Sequence, residues 1–485
     1  METLTENGEN AFSTTLNANV DLFVSLVRSI DTEKLIDLLE KSWIQDPELT
    51  LKIILYARDR HALGEKFLSF RMMVWLMYRF ENLYNLNFKE FVKLGKLHDL
   101  LRLIRAKQVL KKNYNVEVDY FIQLLKDGEH SAFKWAPSEG KEFNDIAKII
   151  RQRLNMNAKQ YRQFLTAGRK QKFLIEPVLC QRLDQVVDFS KVPSQAMFKY
   201  KKTFQKEENH LNQQYKAYLE KVVKGEAKIN SGTLMPYQLI NQTDETSNIL
   251  WDDLIKRLEN GNTDYLKNSI AVCDVSSSME IRVGVGVTAM DVAISLSLVL
   301  SELSSHRKII TFSQTPTLIE IPNNKNLTEK FSIIRSAPWG MNTDIFAVFK
   351  LILEKEIDVK NIFIFTDMQF DKAVTNAANY QTSYDKCCEL FNQAGKKIPQ
   401  VIYWNVAAAQ SALPVQNGQA GTALLSGFST TFFKSFLDGD DITPVGIMKK
   451  IINQYNIVYQ EEKRELGFIP WSEIEPRLKS KEKRR

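Results

Sequence analysis

Residues 268–279, NSIAVCDVSSSM, join a short apolar run to a polar, serine-rich end. The run is rich in apolar and β-branched residues, which is typical of a strand that is buried on both faces of a parallel sheet. It ends at Asp274, and Ser276 and Ser278 follow at alternate positions. Because open α/β sheets bind ligands outside the carboxyl ends of their strands, this polar end is a candidate site.

The sequence that follows this stretch alternates between helical and strand patterns. A long apolar helix comes first, and three apolar runs follow it, separated by helical or loop sequence. The helix is TAMDVAISLSLVLSEL (288–303), and the runs are KIITFS (308–313), NIFIFTDM (361–368) and PQVIYWNV (399–406). The alternation predicts a doubly wound, Rossmann-like α/β domain over residues 267–465.

Two further positions would bring oxygen-bearing side chains to the same edge of this sheet. Thr343 lies in WGMNTDIF, between a loop and a helix, and Asp367 ends the run NIFIFTD. With Asp274, Ser276 and Ser278 they make a set of two carboxylates and three hydroxyls. Such hard oxygen ligands suit Mg²⁺, with Mn²⁺ or Ca²⁺ as alternatives, rather than zinc or copper. We therefore expect a divalent-cation site with an open position for an acidic group of a partner.

Residues 21–240 are predicted to be helical, because apolar residues recur there at spacings of three and four. Strand signals are nearly absent from the first half of the chain, so we expect an α-helical, HEAT-like repeat domain. We also expect a disordered N-terminus at 1–20, a polar linker at 241–266 and a basic C-terminal tail at 466–485.

The positive charge of the chain is concentrated in the second part of the helical half. The whole chain has 65 Lys and Arg against 58 Asp and Glu, which gives a net charge of +7. Residues 141–175 alone hold nine basic and two acidic residues. A localised basic surface attracts phosphates in a salt-dependent way. The candidate RNA-binding residues are Lys148, Arg151, Arg153, Lys159, Arg162, Arg169, Lys170, Lys172, Lys199, Lys201 and Lys202.

Aromatic residues are interleaved with these charges, and they have two interpretations. Aromatic side chains beside cations stack on unpaired bases in many RNA-binding proteins. Alternatively, aromatic residues at helical spacing form the core, and the lysines form a solvated face. The residues concerned are Tyr161, Phe164, Phe198, Tyr200 and Phe204.

The residues at the predicted sheet edge resemble the metal-ion-dependent adhesion site of von Willebrand factor A domains. The segment CDVSSSM looks like the family form DxSGS, with Ser277 where glycine is common. A threonine in the middle loop and an aspartate at the fourth strand complete the family pattern. The resemblance implies a von Willebrand factor A domain that binds magnesium through the five oxygen-bearing residues named above.

Segments of the helical half resemble TROVE modules, which are helical-repeat rings joined to a von Willebrand factor A domain. Residues 56–70, YARDRHALGEKFLSF, look like the RD…G-x-GE-[RK] segment of those modules. Residues 133–141, FKWAPSEGK, and 188–204, DFSKVPSQAMFKYKKTF, resemble hallmarks of an uncharacterised family from plants, fungi and large DNA viruses. The resemblance covers residues 30–460 and implies RNA binding similar to that of the Ro autoantigen.

Signals for several other classes of protein are absent from the sequence. Four cysteines without a CxxC pair or a Cys/His cluster argue against a structural zinc site. The N-terminus has no signal-peptide pattern, and no uncharged run of about 18 apolar residues occurs, so we expect an intracellular, cytoplasmic protein without a membrane span. With five histidines and no G-x-S-x-G elbow, we expect no enzymatic activity.

Two functional hypotheses follow from the sequence. The first is binding of RNA or of a ribonucleoprotein through the basic helical surface, combined with a metal site for an acidic ligand. The alternative is a protein scaffold whose metal site recruits an acidic loop of a protein partner without nucleic acid. The sequence leaves the oligomeric state and the identity of the partner open.

Overall fold

Helices fill the first half of the chain, and helices alternate with strands in the second half. The computed structural model describes residues 2–170, 175–181, 187–240, 242, 244–261, 264–312, 315–337, 344–370, 381–407, 412–436, 442–465 and 471–483. The predicted helical first half and the mixed α/β second half are confirmed. The finer assignments to a helical repeat and to a von Willebrand factor A domain stay predictions.

The described helices are short to medium in length. In chain order they are α1 (Ala18–Val24), α2 (Thr32–Gln45), α3 (Pro47–Arg58), α4 (Lys66–Arg79), α5 (Glu81–Leu94), α6 (Leu97–Val109), α7 (Asn115–Lys126), α8 (His130–Trp135), α9 (Asn144–Arg153), α10 (Ala158–Lys170), α11 (Ile175–Gln181), α12 (Ser194–Gln205), α13 (Asn212–Val223), α14 (Tyr237–Ile240), α15 (Glu245–Glu259), α16 (Asp264–Lys267), α17 (Ala289–Leu303), α18 (Leu327–Arg335), α19 (Ile345–Glu354), α20 (Ser383–Gln393), α21 (Pro444–Ile452) and α22 (Trp471–Lys483). Within the described residues, no helix has the length and apolar character that a bilayer span requires.

The described strands form one six-stranded sheet and two small hairpins. They are β1 (Glu2–Leu4), β2 (Asn10–Phe12), β3 (Ser269–Asp274), β4 (Arg282–Gly284), β5 (Val287–Thr288), β6 (Lys308–Phe312), β7 (Thr317–Glu320), β8 (Asn361–Thr366), β9 (Gln400–Asn405) and β10 (Thr422–Ser426). In the large sheet the order is β10-β9-β8-β3-β6-β7. The edge strand β7 pairs antiparallel with β6, and the other pairs are parallel.

The strand order places the switch point of the large sheet between β3 and β8. The chain runs from β3 to β6 and β7 on one side and then crosses to β8, β9 and β10 on the other. Parallel pairing sets Cys273 opposite Phe365, so β3 and β8 end side by side. Every residue of both strands is buried, as their continuous apolar runs predict.

The chain divides into two compact units, each assembled from separate stretches of sequence. Unit 1 comprises residues 1–56, 61–65 and 188–455, and unit 2 comprises residues 57–60, 66–187 and 456–485. The sequence instead divides the chain into consecutive domains with bounds at residues 21, 241 and 267. Those bounds stay predictions, because they divide the sequence into consecutive segments, whereas the two units are defined by which residues pack together.

Unit 1 contains the first helices of the chain in addition to the sheet. The hydroxyl of Ser426 in β10 donates to the carbonyl of Phe23 in α1 at 3.0 Å. The ring of Phe23 in turn stacks on Tyr56, with ring centres 5.0 Å apart. Residues 2–12, for which we expected disorder, form the β1–β2 hairpin.

The predicted linker contains a helix. Within residues 241–266, α15 begins after Asp244, whose carboxylate accepts the backbone N–H of Ser247 at 3.1 Å. The polar segment TDETSN therefore includes a helix cap. Helix caps and linkers are both rich in polar residues, so composition alone does not distinguish them.

Unit 2 contains α4–α10 and a strap near its C-terminal end, which we define as residues 456–465 and which is bonded to α5. Asn87 and Val458 exchange two hydrogen bonds, from Nδ2 to the carbonyl at 2.8 Å and from the backbone N–H to Oδ1 at 2.9 Å. The carboxylate of Glu462 accepts the N–H groups of Asn82 and Leu83 in the first turn of α5, at 3.0 and 2.9 Å. The strap thus caps a helix that lies about 380 residues earlier in the chain.

Candidate metal centre

Two neighbouring strands end in carboxylates at the switch point of the large sheet. β3 ends at Asp274, and Asp367 follows the last residue of β8. Both residues are almost completely buried, with exposed fractions of 0% for Asp274 and 3% for Asp367. The crevice outside the carboxyl ends of strands, at the switch point, is where open α/β sheets bind their ligands.

Hydrogen bonds hold the Asp274 carboxylate from both sides. Its Oδ1 accepts the backbone N–H of Ser276 at 2.9 Å, and its Oδ2 accepts the hydroxyl of Thr366 at 2.6 Å. The hydroxyl oxygens of Ser276 and Ser278 are 2.9 Å apart. The Ser278 hydroxyl favours the ionised form of the Asp367 carboxylate and so opposes the increase of its pKa. The turn after β3 therefore brings two hydroxyls to two carboxylates.

Burial disfavours the negative charge of both carboxylates, and the charge of Asp367 disfavours that of Asp274 further. Burial raises the pKa of Asp274 to about 7, and the charge of Asp367 adds to the increase. Burial also raises the pKa of Asp367, and the charge of Glu6 adds to that increase. Hydrogen bonds oppose both increases without cancelling them. A bound divalent cation would stabilise the ionised form of both groups.

The donor set of this cluster fits a hard divalent cation. Asp274, Asp367, Ser276 and Ser278 offer only oxygen, which is the ligand atom that Mg²⁺, Mn²⁺ and Ca²⁺ prefer. Within the described part of the chain, no group of three or more His, Cys, Asp or Glu side chains could hold a metal ion. A cation at this place would therefore depend on the serine hydroxyls and on water in addition to the two carboxylates.

Four of the five predicted metal-site residues lie together, namely Asp274, Ser276, Ser278 and Asp367. The fifth, Thr343, lies outside the described residues. Its neighbour Asp344 is described, and its carboxylate caps the N-terminus of α19. The assignment of these residues as metal ligands stays a prediction.

The structure adds residues to this cluster that the sequence did not single out. Thr366 directly precedes Asp367, and its hydroxyl donates to Asp274. The feature of the sequence that could have identified Thr366 is a hydroxyl residue at the end of an apolar run. Gln369 accepts the backbone N–H of Glu6 on its Oε1 at 2.9 Å. No sequence signal pointed to Glu6, because its polar segment has neither helical nor strand periodicity.

The candidate RNA-binding residues of unit 2 divide into paired and exposed side chains. Arg151 pairs with Glu139, and Arg153 pairs with Asp119, each at 2.6 Å. Arg169 donates to two backbone carbonyls at 2.9 Å. These three arginines stabilise the helical unit, so they contribute less to a phosphate-binding surface than their charge suggests.

Three of the exposed candidate RNA-binding residues of unit 2 lie on α10. Lys159, Arg162 and Lys170 share one side of this helix. The spacings between them are three, eight and eleven residues, and residues at these spacings lie on the same face of an α-helix. The sequence of α10, AKQYRQFLTAGRK, contains no acidic residue. Lys148 is exposed on α9. Lys172 lies outside the described residues.

The remaining candidate RNA-binding residues lie on α12, which belongs to unit 1. Lys199 and Lys202 are exposed. Lys201 is only 2% exposed, and its ammonium pairs with Asp244 at 2.6 Å. The expectation that Lys201 faces RNA is therefore wrong, because the ion pair buries its charge. The candidates are also divided between two compact units.

Two of the aromatic residues suggested for base stacking belong to the core. Tyr161 and Phe204 are 1% and 0% exposed, so the core interpretation holds for both. Phe164 packs on another aromatic ring, with ring centres 5.2 Å apart. Phe198 and Tyr200 are partly exposed, and lysine ammonium groups lie over both rings at 4.6 and 4.9 Å.

Two family models of unknown function match consecutive parts of the chain. "Domain of unknown function (DUF2828)" matches residues 5–127 and 123–272, and "Domain of unknown function (DUF7788)" matches residues 268–472. The first model covers more than half of the chain. The chain therefore belongs to the DUF2828 family, and its sheet region matches DUF7788.

A viral protein and a bacterial crystal structure are similar to the chain. "Uncharacterized protein L728" of Acanthamoeba polyphaga mimivirus is 30% identical over 509 residues, which cover 93% of this chain and 87% of the viral protein. The crystal structure of Deinococcus radiodurans RO (RSR) protein has a TM-score of 0.37 and 12% identity, over 83% of this chain and 90% of that chain. The predicted membership of an uncharacterised family that includes a large DNA virus is confirmed. The expected plant and fungal members stay a prediction.

Proposed function

We propose that this chain is a non-enzymatic binding protein that holds a divalent cation, preferably Mg²⁺, at the switch point of its sheet. The supporting observation is that the buried carboxylates of Asp274 and Asp367 meet the hydroxyls of Ser276 and Ser278. A carboxylate or phosphate oxygen of a partner would take the open position of the cation.

We propose further that the sheet of unit 1 is a von Willebrand factor A domain. One antiparallel edge strand, β7, in an otherwise parallel six-stranded sheet supports this assignment. The D-x-S-x-S run at the end of β3 supports it independently. Ser277 stands where the family has glycine, and it begins the short 3-10 helix Ser277–Glu280. A side chain is therefore compatible with the backbone at this position.

The side chains of the cluster would have different roles. The cation would supply Lewis acidity toward an acidic oxygen of the ligand. Ser276 and Ser278 would offer neutral oxygens. Asp274 is held by Thr366 and by a backbone N–H, so it would balance charge at a fixed position, directly or through water. Because few carboxylates would coordinate the cation directly, part of its positive charge would stay unbalanced and would attract an anionic ligand.

Calorimetric titration of the full chain with Mn²⁺ and Mg²⁺ tests the metal site. We expect the wild type to bind one equivalent, and we expect the double substitution Asp274→Ala with Ser276→Ala to weaken binding by at least about tenfold. Asp358→Ala is the matched control, because Asp358 is an exposed carboxylate that precedes the same strand, β8. Equal binding by the wild type and the double variant would overturn the metal site.

RNA binding by unit 2 is a second candidate function, and the exposed cations of α10 are the observation that favours it. Lys159, Arg162 and Lys170 lie on one face of a helix without acidic residues. Three such cations would contact phosphates and release counterions from RNA. We propose this face, rather than the buried aromatic residues, as the contact surface.

Anisotropy of a labelled single-stranded RNA, measured over a range of salt concentrations, tests this second function. Replacing the three α10 cations with glutamine should reduce the slope of log affinity against log salt by about 2. The control is the same change of charge at Lys93, Lys111 and Lys126, which are exposed elsewhere in unit 2. Equal slopes in both variants would exclude this face. If the wild type binds no RNA but captures an acidic protein in the presence of Mg²⁺, the scaffold alternative is favoured.

A further inference from the structure

Two cations lie over one exposed aromatic ring in unit 2. The Lys66 ammonium lies 5.2 Å from the centre of the Phe67 ring, and the Arg102 guanidinium lies 5.1 Å from the same centre. Phe67 is nevertheless 63% exposed, so its ring remains accessible from solvent. Aromatic rings beside cations bind nucleotides, because the base stacks on the ring and the cations attract the phosphate. This part of the surface therefore offers one contact for a planar group and two for an anion.

Two helices hold this arrangement in place. Lys66 and Phe67 begin α4, where the helix dipole adds partial positive charge, and Phe70 follows one turn later. Arg102 lies on α6, and its guanidinium lies 4.1 Å from the centre of the buried Phe70 ring. The guanidinium is thus held against two rings of the same helix. A stacked guanidinium keeps a fixed plane, which favours the bidentate contact that arginine makes with phosphate.

The positive charge around Lys66 is only partly balanced. Burial lowers the pKa of Lys66, and the charge of Arg102 lowers it further. The charge of Asp99 opposes this decrease, but its carboxylate already pairs with Arg58 at 2.6 Å, where both side chains are 3% exposed. Burial and then the charge of Lys66 lower the pKa of His98 to about 4. An anion bound beside Lys66 and Arg102 would relieve the repulsion between these groups.

We infer that Lys66, Arg102 and Phe67 form a binding site for a nucleoside monophosphate group, whose phosphate contacts the two cations and whose base lies on the exposed ring. A phosphate monoester carries nearly two negative charges at neutral pH, which matches two cations, whereas a backbone phosphodiester carries one. The group belongs either to a free nucleotide or to the 5′-phosphate end of a single-stranded RNA, which share this chemistry. The inference goes beyond the functions proposed above, because neither the metal centre nor the face of α10 uses these residues.

Calorimetry on the full chain tests this site with three probes, namely adenosine 5′-monophosphate, adenosine and inorganic phosphate. We expect the monophosphate to bind at least about tenfold more tightly than adenosine, because only the monophosphate carries the anion that contacts the cations. Lys66→Gln should weaken binding of the monophosphate by about tenfold. Lys89→Gln is the matched control, because the exposed Lys89 ammonium also lies 5.2 Å from the centre of an aromatic ring, that of Tyr120. Equal affinities of these two variants for the monophosphate would overturn the site.

Phe67→Ala separates the contact with the base from the contact with the phosphate. We expect this variant to bind the monophosphate about fivefold more weakly and inorganic phosphate within about twofold of the wild type, because one stacked base is lost. Leu86→Ala, at an exposed apolar residue of α5, should match the wild type for both probes. If Phe67→Ala binds both probes as the wild type does, the base does not lie on this ring, and the assignment to a nucleotide is refuted.

Anisotropy of a single-stranded RNA labelled at its 3′ end distinguishes the two sources of the phosphate. If the RNA binds more tightly with a 5′-phosphate than with a 5′-hydroxyl, and Lys66→Gln removes the difference, the site takes an RNA end. If the two RNAs bind equally while the monophosphate still requires Lys66, the site takes a free nucleotide. The absence of any preference for the phosphate in both experiments overturns the inference. The metal titration and the salt dependence at α10 probe other residues, so their outcomes are independent of this one.

Discussion

Asp274 and Asp367 place two carboxyl groups inside the core of unit 1, and neither is needed to cap a helix. Burial raises the pKa of both, and the charge of Asp367 adds to the increase at Asp274. An alternative explanation is a serine-rich turn whose hydroxyls only satisfy backbone groups. That explanation accounts for Ser276 and Ser278 but not for a second buried carboxylate on a neighbouring strand. Carboxylates that lie in a crevice and have a strongly shifted pKa are more frequent at functional sites than elsewhere in proteins.

Removing one of the two charges should stabilise the metal-free protein. Asparagine at position 367 keeps an oxygen for the Gln369 N–H, which donates to Oδ1 of Asp367 at 3.1 Å. We expect Asp367→Asn to raise the free energy of unfolding at neutral pH, because burial disfavours the ionised Asp367 side chain and its charge disfavours that of Asp274. Denaturant unfolding in the presence of a chelator measures this. A loss of stability similar to that of a core substitution would contradict the charge-repulsion argument.

His98 should make unit 2 sensitive to acid. Burial, together with the nearby charge of Lys66, lowers the pKa of His98 to about 4, and its ring lies against Trp135 and Phe143. The unfolded chain therefore binds a proton at His98 more readily than the folded chain does. The stability that the neutral His98 contributes is present above pH 6.5 and is lost as pH falls toward 4. Nuclear magnetic resonance titration of the His98 ring should give a midpoint near 4, and a midpoint near 6.5 would refute the argument.

At the scale of elements, the apolar runs predicted the strands that build the site, because a strand buried on both faces needs a continuous apolar sequence. The runs at 268–274 and 361–366 correspond to β3 and β8. The β1–β2 hairpin could not be predicted in this way, since its residues are held by hydrogen bonds to Gln369, Phe370 and Leu413. Contacts between distant segments leave no local periodicity.

Gly168 shows how a single position fixes the packing of α10. A methyl group at this position would lie 2.1 Å from two ring carbons of Phe133, although Gly168 is inside a helix. Glycine to alanine in a helix interior normally stabilises by about 1 kcal/mol. We expect Gly168→Ala to destabilise instead, by about 1–3 kcal/mol, because the ring must move. Thermal unfolding compares it with Thr166→Ala, an exposed control on the same helix, and a gain in stability would contradict the packing.

At the scale of the whole molecule, each compact unit recruits a distant end of the chain. Unit 1 includes residues 1–56, and unit 2 includes residues 456–485. The sequence predicted the classes of structure in each half, because local patterns suffice for that. It predicted a basic tail at 466–485, whereas α22 there buries Trp471 and Ile474. Which helices pack together depends on contacts that only the folded chain defines.

The strap makes a prediction about the integrity of unit 2. A chain that ends at Tyr455 lacks Glu462, so the N–H groups of Asn82 and Leu83 lose their acceptors, and Asn87 loses both bonds to Val458. We expect hydrogen exchange in the first turn of α5 to become at least about tenfold faster, a change equivalent to about 1.4 kcal/mol. Peptides that cover β3 and β8 serve as the internal control, because their hydrogen bonds lie within the sheet of unit 1. Glu462→Ala, which removes the cap but keeps the rest of the strap, should accelerate exchange in the same turn to a smaller extent. Unchanged exchange in α5 after truncation would mean that residues 66–187 are stable without the strap, and the helical half would then fold as the consecutive domain that the sequence predicts.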